Sequence, residues 1–284
     1  MKLRRKRFEL MVFEPQRHRL LVGEDIGPED SPHLFLCLPG LLETRASFEE
    51  FISHLGQEVR IMTLDWCGRG DSDRLASAHE YRMSVYLSDL SLLYSHAMGA
   101  VSADNRLIAS SLGKIWPAKP TKIHLVGTSM GGLLAMFLAS HQPKHLGGVV
   151  LNDVGPLLPW SGVFSLMTGI ASAKTSDAFD PGQNLAERLN VDPHLLRAVR
   201  QPGHLNLPHE TRLSGVDFSD VFSKVSAPLL LLRGMKSEII NDSVVKKIKI
   251  LHPQTQVLDC AGCAHPVPYS EDVCSAIREF ADRI

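Results

Sequence analysis

The chain has 284 residues, 44% of them hydrophobic and 21% charged, a globular composition that excludes disordered, collagen-like and coiled-coil proteins. Thirty Lys and Arg against 31 Asp and Glu leave a formal charge of -1, so no overall field draws in phosphate backbones or anionic lipid. A chain this long buries about 75% of its unfolded surface, enough for a core without a metal or disulfide staple.

The basic run Lys2, Arg4, Arg5, Lys6 and Arg7 is read as a solvated end before a first strand. Residues 8–14 are too short and too acidic for the apolar region of a signal peptide. No stretch reaches the roughly 18 consecutive apolar residues of a membrane helix. Segments 7–13 and 19–23 are expected to pair as an antiparallel hairpin. Leu34-Phe35-Leu36-Cys37-Leu38 reads as the first buried strand, stopped by Pro39-Gly40. A helix is expected from Ser47, with Glu50 at capping-box spacing. Strand 59–64 then leads to a Gly-rich turn, and Met83, Tyr86, Leu87, Leu90, Leu93 and Tyr94 line the next helix.

Residues 99–120 read as a surface insertion before strand 122–126. A helix follows Gly127-Thr128-Ser129, and then a strand at 148–151. Strand 229–232, helix 241–251, strand 255–260 and a last helix to Ile284 complete an alternation that predicts a mainly parallel sheet with helices on both faces. Residues 156–222 break the rhythm with several Pro and Gly. They are expected to form a helical insertion over the sheet, because so long a stretch does not fit as one loop.

The five cysteines (Cys37, Cys67, Cys260, Cys263, Cys274) are an odd count. They are read as reduced thiols in a cytoplasmic protein. Cys260 and Cys263 form a CxxC without the second ligand pair that a structural zinc site needs, so no metal or cofactor is expected. Asp71 and Asp73 lack a clustered third carboxylate and are read as turn and cap residues.

Gly127-Thr128-Ser129-Met130-Gly131 matches GxSxG. It lies between a strand and an Ala- and Leu-rich helix, where a nucleophile elbow has to lie. Glycine flanks the serine because the turn is too tight for a Cβ on either side. The serine hydroxyl then projects at a helix N-terminus, towards which backbone N–H groups point. A serine hydroxyl is a weak nucleophile at neutral pH and needs a base in hydrogen-bond reach. His265 follows the last strand and suits that role. His124 lies inside a strand, and His204 and His209 lie in the insertion, where solvated positions are expected. A carboxylate must orient the imidazole. Glu238, after strand 229–232, is the expected acid, and Asp153, at the end of the preceding strand, is its rival.

These features together resemble the α/β-hydrolase superfamily over nearly the whole chain. Leu38-Pro39-Gly40-Leu41 resembles the segment that supplies one oxyanion-hole amide, with Pro39-Gly40 where the family often has His-Gly. Residues 65–73 are similar to the family's D-x-R-G-x-G-x-S turn, and Cys263-Ala264-His265 resembles its Gly-His loop. The resemblance implies an eight-stranded α/β-hydrolase sheet with a small helical cap at 156–222. It also implies oxyanion donors from the amides of Leu41 and Met130. The expected activity is hydrolysis of a small-molecule carboxylic ester or related acyl substrate (thioester, lactone) through a Ser129-His265-Glu238 triad, without cofactor, nucleic acid or membrane. The open alternatives are a carbon–carbon bond hydrolase or amidase on the same triad, and a non-catalytic small-ligand receptor. Arg69 is read either as structural or as meeting an anionic substrate.

Overall fold

In the computed structural model of the chain, residues 2–13, 17–99, 122–172, 185–199, 204 and 210–284 are described. The expected hairpin forms: β1 (Arg5–Phe13) pairs antiparallel with β2 (His18–Ile26). β3 (His33–Leu38), β4 (Arg60–Leu64), β5 (Lys122–Thr128) and β6 (Leu146–Asn152) follow. Three short strands come next, β7 (Leu157–Pro159), β8 (Glu210–Arg212) and β9 (Gly215–Asp217), before β10 (Leu229–Gly234) and β11 (Gln256–Cys260). The large sheet has eight strands in the order β1-β2-β4-β3-β5-β6-β10-β11. β2 runs antiparallel to both its neighbours, and the remaining pairs are parallel.

The helices are α1 (Glu49–Leu55), α2 (Met83–Ala97), α3 (Met130–Ser140), α4 (Trp160–Ser172), α5 (Leu185–Arg188), α6 (Pro193–Ala198), α7 (Ser219–Phe222), α8 (Asp242–Leu251) and α9 (Glu271–Asp282). The central strands read as unbroken apolar runs because helices cover both faces of a parallel sheet. Leu34, Leu36 and Leu38 of β3 join one cluster with Leu90, Leu93 and Leu134. Phe35 and Cys37 join the other, with Phe51, Ile277 and Phe280. α8 starts where Asn241 accepts the N–H groups of Ser243 and Val244, both at 3.1 Å, the bond that side chains at this position typically supply.

Two expectations change. The capping box at Ser47 and Glu50 does not form: a 3₁₀ turn covers Arg45–Phe48, and α1 begins at Glu49 with no side-chain cap. The entry is tightened because Asp65 accepts both the Arg45 N–H and its guanidinium. Between 156 and 222, expected as helices and loops, the chain also builds a three-stranded antiparallel sheet in the order β7-β9-β8. The expected insertion at 99–120 lies outside the described residues apart from Gly99, as does His209.

Two histidines, His124 and His204, are buried in this framework, and a third, His96, is half-buried. His124 Nε2 shares a hydrogen bond with His33 Nδ1 (2.9 Å) and the ring stacks on Phe35, while its buried Nδ1 has no partner among the described residues. Desolvation, reinforced by His33, lowers its pKa from 6.5 to about 3. Desolvation likewise lowers His96 and His204 to about 4. Between those values and 6.5 the unfolded chain binds more protons than the folded one. Stability therefore rises with pH through this window and is lost as pH falls, by up to about 1.4 kcal/mol per pH unit for each such group. The urea unfolding midpoint should drop steadily from pH 6.5 to 4.5, and His124→Gln should make the dependence shallower. A midpoint that is flat over that range would contradict these desolvated neutral rings.

Candidate active site

The site begins at the turn between β5 and α3. Ser129 has φ 50° and ψ -114°, a conformation that a non-glycine residue keeps only where its surroundings over-determine it. Those surroundings depend on its glycine neighbours. A Cβ on Gly127 would stand 2.4 Å from Gly132 N, and one on Gly131 would stand 2.0 Å from Leu38 O. No side chain fits at either position, so the start of α3 packs directly on the end of β3. Ser129 itself stays partly accessible, followed by an almost wholly buried helix.

Register places a carboxylate beside this serine. Thr128 of β5 lies opposite Asn152 of β6, which sets Ser129 and Asp153 side by side one residue further on. The Ser129 N–H donates to Asn152 O at 3.2 Å. His265 arrives from the loop after β11, its Nε2 2.9 Å from Ser129 Oγ and its Nδ1 2.8 Å from Asp153 Oδ2. Asp153 accepts at Oδ2, so the hydrogen belongs on Nδ1 and Nε2 is free to accept from the serine hydroxyl. The second carboxylate oxygen, Oδ1, accepts the Gly234 N–H at 2.9 Å. The Asp153 side chain is fully buried, whereas 17% of the His265 side chain remains exposed. The carboxylate is thus dry and fixed while the imidazole keeps an accessible edge.

Glu238, the expected acid, is not part of this constellation. It is exposed, four residues past the end of β10, and the acid contact to His265 comes from Asp153. β6 is the immediate neighbour of β5, and β10 is one strand further out. A carboxylate at the end of β6 is therefore nearer to the elbow than one beyond β10.

The two residues expected to supply oxyanion donors lie at the start of α3 and in the loop after β3. Met130 follows Ser129 as the first residue of α3, where backbone N–H groups have no intrahelical acceptor. Leu41 lies in the loop after β3, which the missing Cβ of Gly131 brings against the elbow. Trp66 Nε1 donates to Pro39 O at 3.0 Å, and the Gly40 N–H donates to Glu43 Oε2 at 2.8 Å. The Gly40 amide is thereby occupied.

Sequence reasoning missed the residues that hold the histidine loop. The Asn152 amide pairs twice with the backbone of Val267, donating at 2.8 Å and accepting at 3.0 Å. Thr128 Oγ1 meets the Tyr269 hydroxyl at 2.8 Å. The available signal was a polar residue closing each buried strand, directly before Ser129 and Asp153. His204 is buried, not solvated, with Nδ1 3.1 Å from Tyr81 O. Asp71 accepts from Arg45 and Asp73 accepts the Leu20 N–H, contacts that tie this turn to distant segments. Cys260 and Cys263 are free thiols.

Among the described residues no helix is long and apolar enough to cross a membrane. The chain is 32% identical over 146 residues to the 3-hydroxybutyrate-oligomer hydrolase of Cupriavidus necator, a match covering 51% of this chain and 42% of that protein. It is 24% identical to the sn-1-specific diacylglycerol lipase ABHD11 of Mus musculus, over 94% of this chain and 85% of the relative. An α/β hydrolase of Novosphingobium aromaticivorans superimposes with TM-score 0.67 at 22% identity, covering 98% of this chain and 99% of that one. A thermophilic esterase of Thermogutta terrifontis gives 0.65 at 20%, with 98% of each chain covered. Both of these likenesses concern the fold. The model of the alpha/beta hydrolase fold family matches residues 33–207, and together with the eight-stranded sheet and the elbow at Ser129 this establishes that the chain belongs to the α/β-hydrolase family.

Proposed function

We propose that this hydrolase cleaves a carboxylic ester or a related acyl compound, such as a thioester or lactone, through an acyl-enzyme on Ser129. The observation that carries this reading is the unbroken line of hydrogen bonds from Ser129 Oγ through His265 to Asp153. His265 Nε2 takes the hydroxyl proton as Ser129 Oγ attacks the carbonyl carbon. Asp153 stabilises the resulting imidazolium without taking its proton. The amides of Leu41 and Met130 donate to the oxyanion of the tetrahedral intermediate. His265 then gives its proton to the departing alcohol. Water, activated by the same imidazole, releases the acid and restores the serine.

Ester chemistry is favoured over the other acyl bonds by two relatives named for oligomers of 3-hydroxybutyrate and for diacylglycerol, both of which are joined by carboxylic ester bonds.

Ser129→Ala and His265→Ala should each lower kcat on p-nitrophenyl butyrate by about 10⁶, and the double variant little further, because the pair acts as a unit. Labelling of the wild-type protein by a fluorophosphonate should disappear in Ser129→Ala. A wild-type protein that is neither labelled nor active on an ester, thioester and lactone panel would overturn the proposal.

The acid is tested separately. Asp153→Asn should cost about 10⁴ in kcat by disturbing the tautomer of His265. Glu238→Gln should leave turnover at the wild-type level. The reverse outcome would return the acid role to Glu238 and leave the fold untouched.

A further inference from the structure

The turn after β4 buries a guanidinium for which the chemistry above has no use. Arg69 is 1% exposed. Its Nε and Nη2 both donate to Leu41 O, at 3.0 and 2.6 Å, and its Nη1 donates to Cys67 O at 2.8 Å. Leu41 is the residue whose N–H is the oxyanion donor in the reaction proposed above, on which this inference rests.

Three consecutive peptide planes make up that loop. The plane joining Pro39 to Gly40 is held at both ends, its carbonyl by Trp66 and its N–H by Glu43. The plane joining Leu41 to Leu42 is held at its carbonyl by the fork of Arg69. Between them lies the plane that carries the Leu41 N–H. Among the described residues its carbonyl, on Gly40, accepts only a long 3.4 Å bond from the Glu43 N–H. A peptide is rigid, so the direction of the Leu41 N–H is set by the two planes that flank it. Hydrogen bonds weaken steeply with misalignment, and a catalytic donor is useful only if it is already aimed when charge develops.

Arg69 is itself held from the cap side. Its backbone forms an antiparallel bridge with Val191. The Gly70 N–H donates to Asn190 O and the Asp192 N–H to Gly68 O, both at 2.8 Å. Tyr81 donates its hydroxyl to Asp192 Oδ2 at 2.5 Å, and the guanidinium lies 4.7 Å over the Tyr86 ring.

We infer that Arg69 is a positioning residue for oxyanion stabilisation: it aims the Leu41 amide by clamping the following carbonyl, and residues 190–192 keep the clamp in place. Lysine could keep the charge but not the fork.

The test compares Arg69→Met and Arg69→Lys with the wild type. Rates are expressed per active site titrated with fluorophosphonate, so that misfolded protein is not counted. Arg69→Met should lower kcat on p-nitrophenyl butyrate by about 10- to 100-fold, less than the full loss of a donor, with KM little changed. A trifluoromethyl ketone, whose adduct places an oxyanion in the hole, should bind more weakly by the same factor. Arg69→Lys should fall between Arg69→Met and the wild type. A merely structural role would reduce the titratable fraction and the melting temperature but leave kcat per site and ketone affinity at wild-type values, and that result overturns the inference. Should neither variant fold, Tyr81→Phe, which removes a hydroxyl that holds Asp192 and accepts the Leu75 N–H, must lower kcat and ketone affinity together by a factor of about three; unchanged values overturn the inference. A wild-type protein without ester turnover or Ser129 labelling would overturn the hydrolase proposal and this inference together. Failure confined to the Arg69 and Tyr81 variants would overturn this inference alone.

Discussion

Thr128 opposite Asn152 is the pairing on which the candidate site depends, because it places Ser129 and Asp153 on adjacent strand ends at the same height. Side chains alternate along a strand, so slipping β5 against β6 by one residue would turn every side chain of one strand to the other face. That slip would separate the hydroxyl from the carboxylate and would also expose Val126 or Val150 to the wrong cluster. The two apolar clusters that cover the sheet therefore fix the register, and the register fixes the site. Packing and chemistry are one constraint at this point of the chain.

The histidine comes from far away in sequence, and it is held by the same two strand ends. Asn152 grips the Val267 backbone from both sides, and Thr128 meets Tyr269. Each of these residues directly precedes one of the groups that His265 touches. The loop is thereby referenced to the strands whose ends carry Ser129 and Asp153. This limits the freedom of the imidazole in the two directions that matter for proton transfer.

The parallel core was legible in the sequence because a strand buried on both faces leaves a continuous apolar run, as at residues 34–38. The elbow was legible because its steric demand for glycine is local. The acid was not. Glu238 and Asp153 both follow an apolar strand, and both fall between Ser129 and His265 in chain order. What separates them is that β6 lies beside β5, with β10 beyond it, and sheet order is decided by contacts among distant segments. The burial of His204 was hidden for the same reason, since its partner Tyr81 is 123 residues away. The strands β7, β8 and β9 are three residues long each, too short for a period-two pattern to register.

Both Ser129 and Asp153 have positive φ, 50° and 53°, and conformations of this kind cost about 1–3 kcal/mol each. The surrounding hydrogen bonds explain how two such residues persist side by side. The Ser129 N–H reaches Asn152 O, the Asp153 N–H reaches Leu232 O, and the Asp153 carboxylate accepts from Gly234. All three bonds cross from one strand of the sheet to the next, so the strain is opposed by the pairing of β5, β6 and β10 together. Arg69 acts on the opposite side of the elbow in a comparable way, tying the loop after β3 to the turn after β4. Ser129, Asp153 and the loop after β3 are thus carried by backbone that five neighbouring strands hold jointly. A local change at any one of those strand ends should be felt at the others before it is felt in the apolar layers beneath.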